Sequence, residues 1–159
     1  MSKAHVITIS DRVSAGKMED KSGPALMRIL ASAGFEVAAP EVVPDSEQDI
    51  VDALEAAVVR RADVVITTGG TGLGPRDVTP QATSTVIEFE VPGIAETMRR
   101  AGAATTPMAA LSRGIAGVRG HTLIINVPGS AKGAAESLEA VMPVLAHAIR
   151  LLHGDTSHD

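Results

Sequence analysis

Short apolar runs alternate with longer amphipathic stretches from one end of this chain to the other. Val6-Ile7-Thr8-Ile9 is β-branched with little polar alternation, the pattern of a strand buried on both faces. A polar loop, residues 11–22, follows. Gly23-Pro24 then opens a helix with Leu26, Ile29, Leu30 and Ala33 on one face. Pro24 is tolerated in the first turn, and Gly34 marks the stop. Residues 36–43 read as a second strand. Ser46-Glu47-Gln48-Asp49 resembles a capping box with Asp in place of Glu, and behind it Ile50, Leu54, Ala57 and Val58 recur at helical spacing.

A third strand, Val64 to Thr67, runs into Gly69-Gly70-Thr71-Gly72-Leu73-Gly74. Beyond it, Thr79 and Pro80 are placed to serve as N-cap and first residue of a helix through Ile87. Pro92-Gly93 begins another helix, over 94–103. Residues 114–118 and 122–127 read as two strands around Arg119-Gly120. The last helix, 134–152, turns Leu138, Val141, Met142, Leu145 and Ile149 inward, and Pro143 is expected to kink or divide it. Residues 154–159 have no apolar anchor and are expected to fray from a single domain over 1–153. Strands alternating with helices predict an α/β fold.

Composition then removes whole classes of chemistry. The chain has 159 residues and no cysteine, so thiolate metal sites, nucleophilic cysteine and disulfides are excluded. A formal charge of −5, with no Trp or Tyr and only two Phe, argues against nucleic-acid backbones and base stacking. The opening residues do not form a secretory signal, and no apolar run approaches the roughly 18 residues of a spanning helix. The expected setting is therefore cytoplasmic, away from membranes. His5, His121, His147, His153 and His158 lack ligand spacing such as His-Glu-x-x-His, so surface or core-edge roles are expected of them.

Candidate chemistry concentrates at 67–80. Glycines at a strand's carboxyl end let the backbone approach a ligand, and free N–H groups there can cradle an anion. Gly69 and Gly74 have P-loop spacing, but Pro75-Arg76 stand where Lys and Ser or Thr belong. Glu88 and Glu90 lie at about the distance of a dinucleotide fingerprint's acidic residue, yet no central strand surrounds them. Plainer readings stand beside the functional one. The glycines can form a tight turn only; Asp45 can merely favour the positive end of the helix capped by Ser46; Asp77 can cap a turn or pair with Arg76.

The longer string is more specific. Thr67-Thr68-Gly69-Gly70-Thr71-Gly72, then Pro75-Arg76-Asp77-Val78-Thr79-Pro80, resembles the signature of the molybdopterin adenylyltransferase family, the Mog/MoaB type related to the G domain of gephyrin. Matches continue in order through Ser10-Asp11-Arg12, Asp20-Lys21-Ser22-Gly23-Pro24, Pro44-Asp45, Leu111-Ser112-Arg113-Gly114 and Asn126-Val127-Pro128-Gly129, so the resemblance covers essentially the whole chain.

That resemblance implies a three-layer α/β/α sandwich with a mostly parallel central sheet and one antiparallel strand or hairpin. It implies a homotrimer, contact with other molybdenum cofactor biosynthesis proteins, and ATP-dependent adenylylation of molybdopterin with release of pyrophosphate. Asp45 and Asp77 then become the catalytic pair at the nucleotide–metal centre, with magnesium as the expected neutraliser of phosphate charge. Thr68, Gly69, Gly70, Thr71, Gly72, Ser112 and Arg113 become contacts to the pterin substrate; Ser10, Asp11, Pro128, Gly129 and Ser130 become contacts to the nucleotide. The alternative is a non-catalytic molybdopterin-binding or scaffold paralogue of the same fold.

Overall fold

A computed structural model describes residues 1–157. Strand β1 (Lys3–Ile9) lies second from one side of a seven-stranded sheet. β2 (Glu36–Val37) and β3 (Glu41–Val43) pair with successive parts of one of its edges, and β4 (Val64–Thr68) pairs with the other. β7 (Thr122–Val127) adds parallel to β4. β6 (Ala116–Arg119) and then β5 (Phe89–Glu90) follow in antiparallel pairing. The expected parallel sheet with an antiparallel hairpin is present.

Alternation along the strands explains the three layers. Val6, Val64, Ile66, Leu123 and Ile125 project to one face, where α2 (Ser22–Ser32), α5 (Pro92–Ala103) and α6 (Ala131–Leu152) supply Leu26, Leu30, Met98, Leu138 and Leu145. Ile7, Ile9, Val65 and Ile124 project to the other, against Ile50, Leu54 and Ala57 of α3 (Glu47–Val59) and Ala82 and Val86 of α4 (Thr79–Val86). Near-continuous apolar strands are what burial on both faces demands.

Several local expectations are corrected. The strand expected over 36–43 is two strands, because Ala38-Ala39-Pro40 interrupts the ladder and Pro40 has no N–H to donate. The polar loop after β1 begins with a short helix, α1 (Asp11–Ser14), capped by the Ser10 hydroxyl. Ala33 lies beyond α2 and is exposed. Thr79 is not an N-cap: Val78 holds that position, and the Thr79 hydroxyl donates to the Gly69 carbonyl instead. Phe89 and Glu90 form an edge strand where none was expected. The last helix starts at Ala131, three residues early, because the Ser130 hydroxyl accepts the Gly133 N–H. It runs undivided through Pro143, whose missing hydrogen bond falls on the solvent side.

His5 is buried and bonds Glu41 at 2.6 Å, a core-edge role; His121 and His153 stack edge to face. Residues 155–157 are exposed and outside any helix, while His158 and the end of the expected frayed tail lie outside the described residues.

Candidate active site

Four strands deliver their carboxyl ends to one rim. Ser10-Asp11 follows β1, Pro44-Asp45 follows β3, the glycine loop follows β4, and Pro128-Gly129-Ser130 follows β7. The chain leaves β1 toward β2 on one side and returns through α3 to β4 on the other, so this rim is the topological switch point of the sheet.

The glycine loop is locked where it leaves β4. Gly69 donates to the Val127 carbonyl at 3.1 Å, and its carbonyl accepts the Thr79 hydroxyl at 2.9 Å. Thr68 donates its hydroxyl to the Pro128 carbonyl at 2.8 Å, tying this loop to the turn after β7. Gly69 has φ +107° and Gly70 φ +69°. A Cβ at Gly69 would collide with the Ile9 carbonyl, and one at Gly70 with the Thr79 hydroxyl. Glycine is therefore required by the backbone path and by close packing together.

Two concavities flank this loop. A cleft of about 490 Å³ is lined by Ser10, Asp20, Asp45, Thr68, Gly69, Gly70, Asp77, Gly129 and the N-terminal residues of α2 and α6. A second cavity of about 270 Å³ has mostly apolar walls from Met98, Ala109, Met108 and Leu111, with Thr71, Gly72, Ser112, Pro128, Glu136 and Ser137 among its lining. Ser130 lines both, so they adjoin at the start of α6.

The acidic side of the cleft is crosslinked. Asp45 accepts the Asp11 N–H at 2.8 Å, and Asp11 accepts the Asp45 N–H at 3.0 Å. Arg76 closes a fork on Asp11, with Nε at 3.0 Å and Nη2 at 3.1 Å. The Arg76 hydrogen bonds, followed by the Asp45 N–H, hold the Asp11 carboxyl below its usual range. Burial pushes Asp45 upward, against the bond from Asp11, and the neighbouring charges of Asp11 and Asp77 add to the rise. Asp77 accepts the Gly74 N–H at 2.9 Å, which folds residues 74–77 into a turn facing the cleft.

The family model for a "probable molybdopterin binding domain" matches residues 5–147. The chain belongs to this molybdopterin-binding domain family. It is 38% identical to the molybdopterin adenylyltransferase of Helicobacter pylori over 94% of this chain and 87% of that one. It is also 38% identical to the molybdenum cofactor biosynthesis bifunctional protein of Synechococcus elongatus over 95% of this chain, but spans only 47% of that protein. Against the crystal structure of the molybdopterin biosynthesis enzyme MoaB from Thermus thermophilus, it superposes with a TM-score of 0.91 and 52% identity, covering 97% of this chain and 98% of that one.

On this molybdopterin-binding domain the residues singled out in the sequence divide into three groups. Ser10, Asp45, Thr68, Gly69, Gly70, Asp77, Gly129 and Ser130 line the cleft, and Thr71, Gly72, Ser112, Pro128 and Ser130 line the apolar cavity. Asp11 and Arg113 line neither. Asp11 engages its carboxylate with Arg76 and Asp45, and the Arg113 guanidinium donates to the Gly72 and Asp77 carbonyls.

Other residues at the two concavities carried no assigned role in the sequence. Asp20 accepts the Thr8 hydroxyl at 2.9 Å and the Gly23 N–H at 3.0 Å, holding the start of α2 against the cleft. Its position just before Ser22-Gly23-Pro24 was the available signal, since acidic residues cap helix starts. Arg99 and Glu136 reach the apolar cavity from α5 and α6, and no local motif marks them.

Proposed function

We propose that this chain is a molybdopterin adenylyltransferase of molybdenum cofactor biosynthesis, transferring the adenylyl group of ATP to the molybdopterin phosphate with release of pyrophosphate. The observation that carries this reading is the meeting of Asp45, Asp77 and the glycine loop in one cleft, adjoining an apolar cavity large enough to take part of a ring system. Kinship with proteins named molybdopterin adenylyltransferase supports the choice of reaction.

The chemistry requires two anions to approach. An oxygen of the pterin phosphate attacks the α-phosphorus of ATP, the new P–O bond forms, and the bond to the β-phosphate oxygen breaks, releasing pyrophosphate. Positioning and charge neutralisation supply the catalysis, with no covalent enzyme intermediate. Gly69, Gly70 and Thr68 would hold the reacting phosphates, with Ser10, Gly129 and Ser130 toward the nucleotide. Thr71, Gly72 and Ser112 would face the pterin. The starts of α2 and α6 line the same cleft, and helix N-termini favour negative charge.

The donor set fits magnesium. Asp45 and Asp77 line one cleft, and among the described residues no group of three or more His, Cys, Asp or Glu is placed to hold a metal. Magnesium commonly takes one or two carboxylates and completes its shell with phosphates and water. When bound, it would neutralise phosphate charge, and Asp45 and Asp77 would hold it. A homotrimer and a cytoplasmic setting complete the proposal; among the described residues, no helix is long and apolar enough to cross a membrane.

Purified chain given molybdopterin, ATP and magnesium is expected to release pyrophosphate, and Asp77→Ala to suppress turnover far more than thermal stability. Molybdopterin binding without ATP binding in separate titrations would instead favour the scaffold alternative.

A further inference from the structure

Arg113 sits where the resemblance implied a pterin contact, yet each of its three guanidinium nitrogens already donates to an oxygen of the protein. Nε donates to the Gly72 carbonyl at 2.8 Å and Nη2 to the Asp77 carbonyl at 2.8 Å, while Nη1 reaches the Gln81 side chain at 3.4 Å. Its own N–H donates to the Thr71 carbonyl at 2.8 Å. One residue therefore grips the glycine loop at its entry, Thr71-Gly72, and at its exit, Asp77.

Within that grip the loop has little slack. The Gly74 N–H binds the Asp77 carboxylate, and a Cβ at either Gly72 or Gly74 would lie 2.9 Å from the same carboxylate oxygen. The Asp77 carboxylate is thus set by the loop backbone, and the loop backbone is set by the Arg113 fork. A lysine carries the same charge but presents no planar fork, so it cannot reproduce two fixed bonds to carbonyls at opposite ends of a loop.

We propose that Arg113 is a positioning residue: it braces the Gly72–Asp77 loop and thereby fixes the carboxylate of Asp77, and it does not bind the pterin. The catalytic consequence rests on the adenylyltransferase reading; the brace itself does not. Loss of the brace displaces a reacting-site carboxylate, although the guanidinium itself touches no substrate. Misplacement of about 1 Å costs up to roughly a hundredfold in rate.

The test compares Arg113→Ala and Arg113→Lys with the unaltered chain in steady-state kinetics and in amide hydrogen exchange. The brace predicts that kcat falls about tenfold to a hundredfold in the alanine variant and less in the lysine variant, with the fall in kcat larger than any rise in KM for molybdopterin or ATP. It also predicts faster exchange over residues 70–78 in both variants, with β1, β4 and β7 still protected. Arg113→Lys keeps the stem and charge and carries the test if the alanine variant does not fold. A rise in the molybdopterin KM at unchanged kcat, with unchanged loop exchange, would establish direct pterin contact and overturn the proposal. If the unaltered chain forms no adenylylated pterin, the enzyme reading fails separately; loop exchange then decides the brace by itself, and unchanged exchange overturns it.

Discussion

Asp11 and Asp45 exchange backbone N–H bonds through their carboxylates, at 2.8 and 3.0 Å, and so clamp the end of β1 to the end of β3. Both partners are acidic, and only one is relieved. Arg76 neutralises Asp11 in solvent, whereas Asp45 lies partly buried with Asp77 as a second negative neighbour. The clamp therefore holds a carboxylate where burial and two negative neighbours oppose its ionisation.

Asp45→Asn removes that charge while its amide oxygen can still accept the Asp11 N–H. Because burial raises the folded-state pKa of Asp45 above its ordinary 3.8, the favourable protonated form is fully present below that value. Its contribution is lost as pH rises through the raised value. At neutral pH the variant is predicted to be more stable than the unaltered chain, by an amount that solvent screening keeps small, and to lose turnover. Melts at acid and neutral pH check the sign: the advantage should vanish on acidification. A variant less stable at neutral pH would contradict it.

Two glycines separate backbone demand from space. Gly69→Ala meets both a φ of +107° and the Ile9 carbonyl, so it is predicted to cost about 2–4 kcal/mol. Gly93 lies in the first turn of α5, and the space a methyl group would fill there is open, so Gly93→Ala should be neutral or gain about 0.5 kcal/mol. Urea unfolding of the two variants measures the difference directly. Equal effects would remove the claim that the Gly69 path is fixed.

Asn126 ties the site's support together from below. Its amide donates to Thr67 at 2.9 Å and Thr83 at 3.0 Å and accepts the Ile115 N–H at 3.2 Å, joining β7 to β4, α4 and the chain entering β6. All three side chains are buried. Asn126→Ala leaves several polar groups unpaired and is predicted to cost about 3 kcal/mol in denaturant unfolding. Thr83→Val removes one hydroxyl while filling its space and should cost about 1 kcal/mol. A larger loss for the valine variant would contradict this network.

The layers were legible because buried strands such as Val64 to Thr67 carry their pattern locally, and Ser46 capped the helix it was expected to cap. What failed depended on partners distant in sequence. Thr79 reads as a cap until the Gly69 carbonyl competes for its hydroxyl, and Phe89-Glu90 pairs only because β6 offers an edge. At the candidate site, Asp45 and Asp77 could be named from the family resemblance, and they line one cleft. The Arg113 contacts could not be read in the same way. A guanidinium looks like a phosphate ligand in sequence, and only the fold shows which carbonyls already occupy it.

The most direct test of the adenylyltransferase reading follows the label from ATP carrying a radioactive α-phosphate, incubated with molybdopterin, magnesium and the unaltered chain. An adenylyltransferase leaves label covalently joined to the pterin phosphate, with equimolar pyrophosphate, and both are lost when Asp77 is replaced by alanine in a chain that still folds. Molybdopterin bound tightly, with all label remaining in ATP across a range of divalent ions, would contradict that reading.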